Sequence, residues 1–242
     1  MAHTPLVPSS ADPSRDPFAA PFAGVLLDMD GTLVDSIAAV ERSWLRWCGE
    51  YGVDPARLAG LHGVSARNVI AELLPEGDRD GAFERIREIE EADLEDVVVL
   101  PGALDLLAAL AAAAVPTAIV TSSTDDLARA RIDATGLPRP DAVVTASDVT
   151  RGKPFPEPWL LGAERLGVDP GDCLVVEDSV AGLRAAVDAG CRGLVGLTTT
   201  MGADDVGAVA HLVVPDLSGL RYEVSAVERA VRVHGPGVQR DG

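Results

Sequence analysis

Asp28-Met29-Asp30-Gly31-Thr32 places two carboxylates close together, directly after the apolar run Gly24-Val25-Leu26-Leu27. A buried strand ending this way delivers both at its C-terminal end, where open α/β sheets hold ligands. Paired carboxylates there suit nucleophilic or proton-transfer chemistry, while the bland alternative is a strand-ending turn built on Asp30-Gly31. A second acidic pair, Glu177-Asp178, closes the run Leu174-Val175-Val176; such pairs also start helices. Thr121-Ser122 ends Ala118-Ile119-Val120 just ahead of a helix beginning near Asp125. A hydroxyl beside a backbone N–H at that place suits an anion, although Thr121 to Thr124 also reads as a plain helix cap.

Lys153, in Arg151-Gly152-Lys153-Pro154, is the only lysine of the chain; every other strong cation is arginine. A lysine kept in so arginine-rich a sequence points to a need for a compact ammonium. The formal net charge of -18 and pI near 4.4 repel nucleic acid and anionic lipid, so neither is an expected partner. The same field repels a phosphorylated compound. A phosphate site here must therefore make its own positive potential from metal, lysine and backbone N–H groups.

Elements that could position these residues alternate along the chain. Apolar runs at Gly24 to Asp28, Thr117 to Thr121, Ala142 to Thr145, Cys173 to Glu177, Gly193 to Leu197 and Leu212 to Val214 read as buried strands. Helical stretches at Ala103 to Ala113, Asp125 to Thr135, Pro158 to Leu166 and Val180 to Ala189 separate most of them. The expected fold class is α/β: a Rossmann-like parallel sheet covered on both faces.

Residues 37–97 break the rhythm with helical periodicity and no convincing strand. Ile37, Val40, Trp44 and Trp47 recur at helical steps, as do Phe83, Ile86 and Ile89. This predicts a small α-helical cap at 37–97, inserted into a core formed by 22–36 and 98–225. The Pro-rich residues 1–21 read as a disordered leader. Residues 226–242 read as a tail, with a short helix from about Val224 before it frays. Cys48, Cys173 and Cys191 form no metal-binding pattern and read as reduced thiols of a cytoplasmic protein. The sequence holds no apolar span of membrane length, and a monomer is the expectation.

Asp28-x-Asp30-Gly31-Thr32 after a hydrophobic strand, then Thr121-Ser122, Lys153 and Glu177-Asp178 in that order, resembles the haloacid dehalogenase superfamily from about Ala23 to Thr200. The resemblance implies a phosphatase that forms an aspartyl phosphate on Asp28, with Asp30 moving protons at the leaving oxygen and at water. The dehalogenase branch lacks the second aspartate and is disfavoured. It further implies Mg2+ bound by a side-chain oxygen of Asp28, the main-chain carbonyl of Asp30 and the Asp178 carboxylate, with Glu177 behind them or joined through water. Lys153 would neutralise charge, and Thr121, Ser122 and Gly31 would contact the phosphoryl group.

A helical cap straight after the first motif resembles the group of β-phosphoglucomutase and the sugar- and polyol-phosphate phosphatases. Leu61-His62-Gly63-Val64-Ser65-Ala66-Arg67 looks like that cap's substrate-facing loop. Arg67 could bind hydroxyls or phosphate or simply start a helix; Gly63 would admit close backbone approach; His62 is either a substrate contact or a surface residue. The expected substrate is a small sugar or polyol phosphate ester. A phosphomutase is the enzymatic alternative, and a non-catalytic binding protein of the same fold is the other class. Residues 37–97 contain no lysine, which speaks against the mutase.

Overall fold

The structure is a computed structural model that describes residues 16–59 and 64–234. Strand β1 (Gly24–Leu27) leads through the two-residue β2 (Val34–Asp35) into three helices, α1 (Ile37–Tyr51), α2 (Ala66–Leu73) and α3 (Arg79–Ala92). The chain returns through β3 (Val98–Val99), which pairs antiparallel with β2. From there strand and helix alternate: α4 (Ala103–Ala112), β4 (Thr117–Val120), α5 (Asp125–Thr135), β5 (Ala142–Val144) and α6 (Glu157–Leu166). Next come β6 (Cys173–Glu177), α7 (Val180–Asp188), β7 (Gly193–Leu197), α8 (Ala203–Gly207) and β8 (Leu212–Val214).

Six strands form one parallel sheet in the order β5-β4-β1-β6-β7-β8. Side chains alternate across its faces. Val25, Leu27 and Ile119 join one core with Leu106 of α4 and Ile132 of α5, while Leu26, Val120 and Val175 join the other with Trp159 of α6 and Leu183 of α7. Every strand side chain of β1 is buried, and each large one contributes about 1.5–3 kcal/mol to folding. Because β1 lies between β4 and β6, three chain ends open side by side at the C-terminal edge. That edge carries Asp28, Thr121 and the Glu177-Asp178 pair.

Helices α1, α2 and α3 share a separate hydrophobic cluster centred on Trp47, Ile70, Phe83 and Ile86. The Trp47 indole donates to the Ala82 carbonyl at 2.9 Å and pins α1 to the first turn of α3. All three cysteines are buried and unpaired. No helix among the described residues is long and apolar enough to cross a membrane.

Two terminal expectations need correction. Residues 1–15 of the expected leader lie outside the described residues, but residues 16–21 are anchored to the core. Phe18 is buried edge-on against Phe22, and the Arg192 guanidinium donates to the carbonyls of Pro17, Ala20 and Pro21. A proline-rich average hides one aromatic anchor and an arginine supplied from far along the chain. At the other end, the expected helix near Val224 is instead a hairpin of β9 (Tyr222–Ser225) and β10 (Ala230–Val233). Alternation at Tyr222, Val224, Val231 and Val233 has the strand period of two, and Val231 exchanges both backbone hydrogen bonds with Phe22 at 2.7 and 3.0 Å. Residues 235–242 of the expected tail lie outside the described residues.

Candidate active site

Lys153 is buried behind Asp28, with all three ammonium donors in use. Its Nζ donates to Asp28 Oδ1 at 2.6 Å, Glu177 Oε2 at 2.7 Å and the Val120 carbonyl at 3.0 Å, and lies 4.4 Å from the Trp159 ring centre. Glu177 is held at its other oxygen by the Ser179 hydroxyl and N–H, at 2.6 and 3.1 Å. Both Glu177 oxygens are thus occupied. Asp28 differs: its Oδ2 is buried and has no hydrogen-bond partner.

Asp178 sits beside this pair. One oxygen each of Asp28, Glu177 and Asp178 lies within 4.8 Å of the others. Burial raises Asp28 to about 7, helped by the charge of Glu177 and opposed by Lys153. Asp178 is pushed well above the usual carboxylate range by burial, then by Glu177 and Asp28. Burial works against the Lys153 ammonium, but the charges of Asp28 and Glu177 outweigh it and hold its pKa above the ordinary value. One ammonium bonds two of the three buried carboxylates, so it keeps its proton while the carboxylates remain undercompensated. This cluster of hard carboxylate oxygens fits a small divalent cation.

Gly31 makes the approach of Asp178 possible. Its φ is +83°, and a Cβ there would stand 2.1 Å from Asp178 Oδ2. Thr200 donates to the same oxygen at 2.5 Å, and Thr199 donates to the Gly31 carbonyl, tying the loop after β7 to the first motif.

Asp30 is turned toward a ring of donors. Ser36 and Arg131 reach Oδ1 at 2.8 and 2.7 Å, while Ser123 and Thr121 reach Oδ2 at 2.8 and 3.3 Å. Arg131 also donates to Ser123 at 3.0 Å, leaving its buried Nε without a partner. Sequence reasoning missed Ser36, Ser123 and Arg131. Arg131 had a signal, because it occupies a core position on α5 alongside Leu127, Ala128 and Ile132.

Between these strand ends and the helical cluster lies a cavity of about 880 Å3. Asp28, Asp30, Gly31, Thr121, Ser122 and Asp178 all face it, which brings those sequence candidates together. Lys153 and Glu177 stand behind them. On the cap side, Arg67 lines the cavity but is largely exposed, stacked 3.8 Å from the Phe83 ring centre and 3.9 Å from Asp80. His62 and Gly63 lie outside the described residues. From sequence, the acidic run Glu88 to Asp96 reads as a solvated helix face or, less readily, a binding surface; burial corrects this at Glu90, an α3 carboxylate on the same cavity wall.

Comparison with known proteins finds relatives of one enzyme family. A family model described as haloacid dehalogenase-like hydrolase matches residues 22–190. Hexitol phosphatase A of Escherichia coli is 45% identical over 173 residues, covering 70% of this chain and 80% of that protein. Glycerol-1-phosphate phosphohydrolase 1 of Saccharomyces cerevisiae is 34% identical over 203 residues, covering 78% and 79%. Among solved structures, a hydrolase of the same family from Deinococcus radiodurans, with bound phosphate and sodium, superposes with a TM-score of 0.62 at 30% identity, covering 82% of this chain and 93% of that one.

Proposed function

From the premise that the chain belongs to the haloacid dehalogenase-like hydrolases, we propose that it hydrolyses a small sugar or polyol phosphate through an aspartyl phosphate on Asp28. The carrying observation is the Asp28 side chain, clamped at Oδ1 by Lys153 and left without a partner at Oδ2. A carboxylate fixed on one side and open on the other is prepared for in-line attack.

Asp28 Oδ2 attacks phosphorus, an Asp28 O–P bond forms and the ester P–O bond breaks. Asp30 gives its proton to the departing alcohol oxygen. Water then attacks the phosphorus, Asp30 takes a proton from it, and phosphate and the Asp28 carboxylate are released. The Thr121 hydroxyl and Ser122 N–H bind phosphoryl oxygens, with Gly31 leaving room beside them. Mg2+, held by the Asp28 and Asp178 carboxylates and the Asp30 carbonyl, would supply positive charge to the phosphoryl oxygens. Glu177 fixes Lys153 from behind.

The cap offers a second phosphate little cationic grip, which supports hydrolysis over mutase chemistry. Arg42, Arg85 and Arg87 are paired with carboxylates, while Arg57 and Arg79 donate to backbone carbonyls. The test is phosphate release with Mg2+ from a panel of phosphate esters that includes hexitol and glycerol phosphates. EDTA should abolish it, and Asp28→Asn should fold yet be nearly inactive. A wild-type protein that releases no phosphate from any ester refutes the reading. Glucose 6-phosphate formed from β-glucose 1-phosphate faster than phosphate is released would favour the mutase.

A further inference from the structure

Glu90 is a buried carboxylate for which the phosphoryl-transfer chemistry gives no use. It lies on α3, the cap helix that meets α5 of the core; one turn earlier, Arg87 bonds Asp126 of α5 at 3.0 Å. Glu90 is only 8% exposed and lines the cavity, with Trp44, Phe83 and Leu127 among its apolar walls. The Trp44 side chain is the neighbouring donor that acts on its carboxyl, and Glu90 forms no ion pair among the described residues. A carboxylate has about four lone-pair sites, so these surroundings leave it poorly served. Arg131 of α5 acts on the Glu90 carboxyl through its charge. It is 2% exposed, lines the same cavity, spends one nitrogen on Asp30 and Ser123, and has its Nε without a partner.

One buried acceptor with spare capacity and one buried donor with no partner, both on the wall of one cavity, call for a ligand group that donates and accepts at once. A hydroxyl does this. We propose that Glu90 and Arg131 form a hydroxyl-binding subsite that selects phosphate esters of neutral polyhydroxylated compounds, Arg131 donating to the chain's oxygens and Glu90 accepting from its hydroxyls. The subsite rests on the phosphatase reading and specifies its substrate class. Once ionised, above about pH 7, Glu90 also acts by exclusion, because an anionic carboxylate on the substrate would meet it at close quarters in a poorly solvated space. Burial pushes the Glu90 carboxyl to about 7, against the pull of Arg131 and with the push of Asp30; the same desolvation strengthens each hydrogen bond made to it.

The test compares wild type, Glu90→Ala and Glu90→Gln on sorbitol 6-phosphate, on p-nitrophenyl phosphate, which carries no hydroxyl chain, and on phosphoglycolate, all with Mg2+. In Glu90→Ala, the kcat/KM ratio of sorbitol 6-phosphate to p-nitrophenyl phosphate should fall roughly tenfold, the worth of one hydrogen bond to a charged group. In Glu90→Gln, which keeps the shape and one acceptor, the ratio of phosphoglycolate to sorbitol 6-phosphate should rise. Because each ratio is taken within one protein, general loss of fold or of phosphoryl transfer cancels. Ratios within about threefold of wild type in both variants overturn the subsite while leaving the phosphatase reading standing. A wild type inert toward all three esters and the wider panel overturns that reading instead.

Discussion

Lys153→Met removes the one ammonium that separates Asp28 from Glu177. The lost contacts are hydrogen bonds of 2.6, 2.7 and 3.0 Å at a residue 1% exposed. Removing one partner of a buried pair costs about 3–5 kcal/mol, since the surviving charges stay buried. That is a large part of the roughly 5–15 kcal/mol that holds a domain folded, so the variant should remain folded with a Tm lower by roughly 6–20 °C. Activity should fall further than stability suggests. Asp28 loses the clamp that orients it, and the phosphoryl site loses its fixed positive charge, together worth about 3 kcal/mol or more and hence about a hundredfold in kcat. Cation binding should move the other way, because Asp28, Glu177 and Asp178 then face Mg2+ without a competing ammonium. Thermal unfolding with and without Mg2+, alongside phosphate release, reads all three effects. Turnover within tenfold of wild type, or an Mg2+-induced rise in Tm smaller than that of wild type, would refute the placement of Lys153 between the carboxylates as the basis of its role.

Gly31→Ala puts a Cβ 2.1 Å from Asp178 Oδ2 at a φ of +83°, so Asp178 must move. We expect roughly 1–2 kcal/mol of backbone strain and loss of the Mg2+-induced gain in Tm; a full Mg2+ response would show that Asp178 is not needed for the cation. Glu90 should leave a pH signature in stability. Its carboxyl rises from the ordinary 4.5 to about 7 through burial, with Arg131 opposing and Asp30 and Glu91 adding. The folded state then holds the proton more tightly than the unfolded one. The contribution is complete below pH 4.5 and is lost as pH rises to about 7, at most about 3 kcal/mol. Urea unfolding at about pH 5 and about pH 8 should show Glu90→Gln losing less stability over that range than wild type; parallel losses would contradict the burial argument.

The strands and helices of the core are legible in the sequence because each is decided locally. Gly24 to Leu27 is too apolar to lie anywhere but inside, and the alternation of such runs with helices leaves a parallel sheet as the economical fold. The same locality makes Asp28, Thr121 and the Glu177-Asp178 pair legible as strand-end residues, and the lone Lys153 stands out by composition alone. What touches what was decided only by packing. Arg131 reaches Asp30 across 101 positions of chain and Ser123 across 93, because α5 lies over the end of β1; neither distance leaves a trace in local spacing. Glu90 reads as one more charge in an acidic helix until α3 is laid against α5, which turns that face inward. Residues 16–21 and the β9–β10 hairpin were hidden for the same reason: composition averages over a segment, whereas Phe18, Arg192 and Val231 act as single anchors across the fold. Local sequence therefore determined the elements and the reactive residue types. Long-range burial decided which oxygen of Asp28 is left open and which donors hold Asp30, since desolvation and hydrogen bonding at a site depend on every segment that closes over it.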